Sequence, residues 1–158
     1  MTVCTQEYNA RDLSDWTEFA HAPFKFTSTF PLRTVLPLRV AIVNPRVIPC
    51  LYRAAWADDH NIGDPAVLHQ VLTRAGFDAA ALIAAADHAD VKERLRANTA
   101  DAVATGVCGV PTFQVVPAGA PPGELVWGQD RLHVVADMLN GWTSIAGAAA
   151  PAGPVSKL

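Results

Sequence analysis

The chain has 158 residues, 51% of them hydrophobic, with a formal net charge of -3, enough for one domain with a real core. It carries no basic patch, no acidic tail and no apolar run of transmembrane length, which argues against nucleic acid as a partner and against a membrane span. The N-terminal residues lack the basic-then-apolar order of a signal peptide.

Residues 1–9 read as a ragged lead-in. A short helix is predicted over residues 10–21, with Leu13, Trp16, Phe19 and Ala20 on one face and Asn9 or Asp12 as cap. Pro23 ends it, and Pro23-Phe24-Lys25-Phe26 alternates like a short strand. Residues 27–31 form a loop, and Pro37 is expected to end or kink any helix through residues 32–41.

Residues 46–104 read as helical throughout. One helix runs through residues 50–56. Asp64-Pro65 opens the next, with proline at the first helical position, and Gly76 stops it. Asp78 caps a third helix through residue 86. Residues 90–103 form the last, closed by Gly106. After Trp142 the composition, TSIAGAAAPAGPVSKL, predicts a disordered tail over residues 143–158.

Residues 106–139 are the most informative. A Gly-rich turn leads into Val110-Pro111-Thr112, an extended run follows, and a loop rich in Pro, Gly and Ala precedes a second run over residues 124–127. Gly128-Gln129-Asp130 then opens a helix with Leu132, Val135 and Leu139 on one face. A proline directly before a strand is a place where a cis peptide is tolerated. A cis bond there turns the backbone of Val110 outward, free to pair with an extended peptide. The plain alternative is an ordinary proline at a strand start. Asp130 is a good N-cap residue, and the free N–H groups of a helix start suit a carboxylate. An exposed backbone edge beside such a start suits a small anionic peptide, and glutathione is one.

The three cysteines, Cys4, Cys50 and Cys108, are widely spaced and form no C-x-x-C, so neither a dithiol redox motif nor a zinc knuckle is supported. A reducing, cytosolic setting follows. Cys108 lies beside the presumed pocket. It reads as a small buried hydrophobe, with a reactive thiol as the alternative. Trp16, Phe30, Tyr52 and Trp56 read as core residues. The five histidines show no paired spacing, and no metal site is inferred.

Several spaced motifs agree in order with a known family: Phe30-Pro31-Leu32-Arg33-Thr34, Leu51-Tyr52-Arg53-Ala54-Ala55-Trp56, Asp64-Pro65, Gly106-Val107-Cys108-Gly109-Val110-Pro111-Thr112-Phe113 and Trp127-Gly128-Gln129-Asp130-Arg131-Leu132. In these the chain resembles the glutathione-dependent 2-hydroxychromene-2-carboxylate isomerases, relatives of kappa-class glutathione transferases in the DsbA-like thioredoxin superfamily. The resemblance covers residues 8–142. It implies an α/β fold: a DsbA-like thioredoxin domain with an all-helical insertion at residues 46–104. The family has a strand, a helix and its active-site serine before the equivalent of Tyr8. Only seven residues stand there in this chain, so the first β-α unit is expected to be missing and no catalytic residue is assigned.

By resemblance, the Val110 backbone beside Pro111 pairs with the cysteinyl part of glutathione, and Gln129 with Asp130 receives its γ-glutamyl end. Arg33 and Arg39 fall in a region that lines the family's substrate cleft, where a small aromatic carboxylate binds. They read equally as solvated surface charge. The implied activity is isomerisation of a hydroxychromene carboxylate in naphthalene-type degradation, with homodimers common among relatives. A glutathione- or peptide-binding module without catalysis, a kappa-type transferase or disulfide oxidoreductase, and a fragment without function stay open beside it. Ser156-Lys157-Leu158 is a peroxisomal address in a eukaryote and a coincidence in a bacterium, where the location is cytoplasmic.

Overall fold

A computed structural model describes residues 3–116 and 123–143, the first few side chains excepted. The predicted tail from residue 144, including Ser156-Lys157-Leu158, the side chain of Cys4 and the loop at 117–122 lie outside the described residues. The chain divides into two compact units at residues 98 and 99.

The first unit is helical. α1 spans Val3–Phe19, α2 Val35–Val43, α3 Ile48–Trp56, α4 Pro65–Arg74 and α5 Ala79–Ala86. α6, Ala89–Thr105, begins in this unit and ends in the second. The starts of α4 and α5 follow from single aspartates. Asp64 Oδ1 accepts from the N–H groups of Ala66 (2.7 Å) and Val67 (3.4 Å), with Pro65 just inside. Asp78 Oδ1 accepts from Ala81 N–H at 3.0 Å. Each satisfies donors that the first helical turn leaves without a partner. Gly76 (φ 83°) and Gly106 (φ 90°) take the left-handed conformation that closes α4 and α6.

The core of this unit gathers Val40, Val47, Leu51, Leu68 and Leu72, each at most 5% exposed. α5 is nearly all alanine, and its buried Ala79 and Ala86 let it lie close against α2 around Val40. Burying a side chain such as Leu72 contributes about 1.5–3 kcal/mol from the removal of its apolar surface from water.

Three expectations are corrected here. α1 begins at Val3, so Asn9 and Asp12 lie within it and cap nothing. Pro37 neither ends nor kinks α2: it stands in the first turn, where its missing N–H costs no helical bond, and Leu38 N–H already reaches Thr34 O at 2.9 Å. Residues 23–26 form no strand and enter no ladder. Their one backbone bond is Lys25 N–H to Trp56 O, 2.6 Å.

That segment is held by a charge clasp. The Asp59 carboxylate accepts from Ser28 N–H (2.7 Å) and Ser28 Oγ (3.0 Å) and pairs with Lys25 Nζ at 3.0 Å. Above it, Phe24 stacks on Trp56 and Phe26 meets both Trp56 and Phe30. The Ser28 N–H, then the Lys25 ammonium, bring the Asp59 carboxyl down from 3.8 to about 2. A folded-state pKa below the unfolded one stabilises above the unfolded value, and that contribution is lost as pH falls through the folded value. Asp59 has a φ of 57°, which asparagine also adopts readily. Asp59→Asn is therefore expected to melt below the wild type at neutral pH, with the gap closing as pH falls from 3.8 to about 2. A gap undiminished at the acid end contradicts the clasp.

The second unit contains a β-hairpin and a helix. β1, Thr112–Val115, pairs antiparallel with β2, Glu124–Trp127, in the register Thr112 opposite Trp127 and Val115 opposite Glu124. A 3-10 turn, Gln129–Arg131, leads into α7, Leu132–Leu139. Val115, Val126 and Met138 form its small core, with Phe113, Val134 and Val135 packed against it. Among the described residues these are the only two strands.

Candidate functional site

The hairpin register assembles the site. Because Thr112 faces Trp127, the next pair outward is Pro111 and Gly128, and Gly128 N–H donates to Pro111 O at 3.0 Å. That bond ties the turn before β1 to the turn after β2. The Val110–Pro111 peptide is cis. Thr112 Oγ1 donates to Gly109 O at 2.6 Å and closes the turn from within. Val110 is 88% exposed, and neither its N–H nor its C=O has a partner among the described residues.

Across the Pro111–Gly128 bond stand Gln129 and Asp130, both exposed. Their backbone N–H groups have no acceptor among the described residues, as expected at the start of a helical segment. Asp130 does not cap α7. It lies inside the 3-10 turn, and its carboxylate accepts no hydrogen bond. The turn puts Arg131 at the cap position of α7 and folds the Asp130 carboxylate back over Gly128, where a Cβ would collide with Asp130 Oδ1. Gly128 has a φ of 112°, open to glycine but strained for other residues. The turn thus offers two backbone donors, an unpaired carboxylate and, one hydrogen bond away, an unpaired strand edge.

The four residues singled out from the sequence, Val110, Pro111, Gln129 and Asp130, fall together in the second unit. Arg33 and Arg39 belong to the first. Arg33 is exposed, its backbone against Gly63, where a Cβ would lie 2.7 Å from Arg33 O. Arg39 is half-buried on α2, and its Nε has no hydrogen-bond partner. Its charge helps hold the Asp87 carboxyl below its ordinary range, after the larger effect of Lys92 at 2.5 Å.

A groove of about 410 Å³ opens between the hairpin and α7, lined by Glu124, Asp130, Arg131, His133, Met138 and Trp142 among others. Sequence reasoning missed Glu124, His133 and Trp142. The three-residue spacing of Asp130 and His133 was the available signal.

Cys108 is exposed, not the buried hydrophobe expected: it sits in the irregular turn before Gly109, off any packed face. Cys50 is half-buried with its Sγ donating to Val47 O at 3.0 Å, and burial pushes its thiol pKa up. Phe30 (62% exposed) and Tyr52 (66%) are also not core residues, and Trp16 is only partly covered. Their rings lie on outward faces of the loop, α3 and α1. Among the described residues no group of three or more His, Cys, Asp or Glu is placed to hold a metal ion, and no helix is long and apolar enough to cross a membrane.

A cis-proline turn before a strand, a hairpin, a closing helix and a run of helices upstream define a thioredoxin-type protein. The sequence matches the DSBA-like thioredoxin domain over residues 5–140, and the chain belongs to that family. Among solved structures, 2-hydroxychromene-2-carboxylate isomerase (HCCA isomerase) is similar, with a TM-score of 0.70 and 20% sequence identity. The similarity covers 85% of this chain and 66% of the isomerase chain. No curated protein sequence matches.

Gly109 is a second close approach in the site, after Gly128. A Cβ on it would lie 2.9 Å from Trp127 Nε1 and 3.1 Å from Cε2. Gly109→Ala is expected to displace the Trp127 indole and shift its fluorescence. An unchanged emission spectrum contradicts the close approach.

Proposed function

We propose that this chain carries the glutathione site of a 2-hydroxychromene-2-carboxylate isomerase-type protein. The observation that carries this reading is the Gly128 N–H to Pro111 O bond, 3.0 Å, which holds the unpaired Val110 backbone beside the Gln129–Asp130 turn. The residues present fit glutathione. The Val110 N–H and C=O take the cysteinyl backbone as an added strand. The N–H groups of Gln129 and Asp130 take the γ-glutamyl carboxylate, and the Asp130 carboxylate takes the ammonium beside it.

Bound there, glutathione would supply a thiolate that adds reversibly to a conjugated aromatic substrate, so that a bond rotates before the thiol departs. The protein's work is to hold and orient. The similar solved structure is that of an isomerase of 2-hydroxychromene-2-carboxylate, which supports a small aromatic carboxylate as the substrate class and, with it, a place in aromatic catabolism. A homodimer and a cytoplasmic location complete the proposal. A second reading, glutathione or peptide binding without turnover, is favoured by the Val110 edge, which is 88% exposed and has an unpaired backbone among the described residues.

Millimolar glutathione is expected to raise the melting midpoint, because a ligand that binds only the folded state stabilises it by mass action. Asp130→Ala removes a charged partner and is expected to weaken binding about tenfold or more. Turnover of hydroxychromene carboxylate with glutathione supports the isomerase. Binding without turnover selects the second reading, and a midpoint indifferent to glutathione overturns both.

A further inference from the structure

We infer that the outward face of α1 is a docking surface for a basic segment of a protein partner, one of whose Lys or Arg side chains enters a pocket formed by Asp12, Asp15, Trp16 and Phe19. These four residues stand at i, i+3, i+4 and i+7, so they form one patch on the helix surface. They line a cavity of about 270 Å³. Both rings line it and meet edge to face, with centroids 5.8 Å apart. Rings of this kind attract an ammonium or guanidinium group through their negative faces, and an adjacent carboxylate adds to the attraction.

Three further observations point to the same occupant. From Glu7 to Phe19, α1 buries no residue, although Tyr8, Leu13, Trp16 and Phe19 all project apolar surface. Helices in water draw most of their stability from packing an apolar face, and among the described residues nothing buries this one. The helix carries four carboxylates, Glu7, Asp12, Asp15 and Glu18, against one cation, Arg11. That charge repels nucleic acid, an anionic membrane and a second copy of the same helix, and attracts a basic chain. Finally, Arg11 meets Asp15 only at 3.6 Å, with both side chains well exposed, a contact that an incoming cation displaces at little cost.

The test uses the intact chain and two fluorescein-labelled peptides of equal length, one of repeating Leu-Lys-Lys-Leu and one of repeating Leu-Glu-Glu-Leu, read by anisotropy. The basic peptide is expected to bind at least about tenfold more tightly than the acidic one, and salt is expected to weaken it. Asp12→Asn with Asp15→Asn is expected to lose about tenfold in affinity, and Trp16→Ala a similar factor, while Trp16→Phe keeps most of it. Glu93→Gln with Asp101→Asn, which removes the same charge from α6, is expected to leave binding unchanged. Should Trp16→Ala lose helicity by circular dichroism, the paired Asn variant decides. Equal binding of the two peptides overturns the proposal, as does an equal loss in the α6 variant. A dimer by light scattering that Trp16→Ala dissociates also overturns it, because a second copy then covers the face.

Discussion

The antiparallel register of β1 and β2 is the constraint on which the candidate site depends. One hydrogen bond beyond the ladder, Gly128 N–H to Pro111 O, brings two turns into contact that are seventeen residues apart in the sequence. A slip of one residue would carry every side chain of the strand to the opposite face. Val115 and Val126 would leave their shared core with Met138, so the packing that stabilises the hairpin also sets the site. The two glycines serve the same end: Gly109 admits the Trp127 indole, and Gly128 admits the Asp130 carboxylate.

The first unit is held differently. Its helices meet through small and branched aliphatic side chains, with α5 contributing almost only alanine. Small residues allow close approach, and the branched ones on α2 and α4 fill the space. The segment over residues 23–30 gains nothing from a sheet, because no described strand pairs with it. It is fastened by the Asp59 clasp and by rings packed on Trp56. That fastening leaves Phe26 and Phe30 more than half exposed.

Local chemistry was legible wherever one residue decides a local event. Asp64-Pro65 and Asp78 mark helix starts because a carboxylate two or three residues before a free N–H reaches it without help from the rest of the fold. Gly76 and Gly106 mark helix ends for a similarly local reason. The DsbA-like fold, and the gathering of Val110, Pro111, Gln129 and Asp130, were implied by the family resemblance that the spaced motifs carry. What failed needed information from beyond the local window. α1 starts at Val3, ahead of the cap candidates Asn9 and Asp12. Pro37 is harmless only because α2 begins two residues earlier. Asp130 looks like a cap in sequence, but the intervening 3-10 turn shifts the start of α7 past it. Trp16, Phe30, Tyr52 and Cys108 are apolar enough for a core, and only the fold reveals that they are left wholly or partly exposed.

On the proposed reading, the paired turns at Val110 and Asp130 receive glutathione. Backbone amide NMR of the labelled chain, titrated with glutathione, tests it most directly. Saturable shifts concentrated at the amides of Val110, Gln129 and Asp130 are the predicted result. Shifts confined to other residues, or none at millimolar ligand, would contradict the assignment of the site.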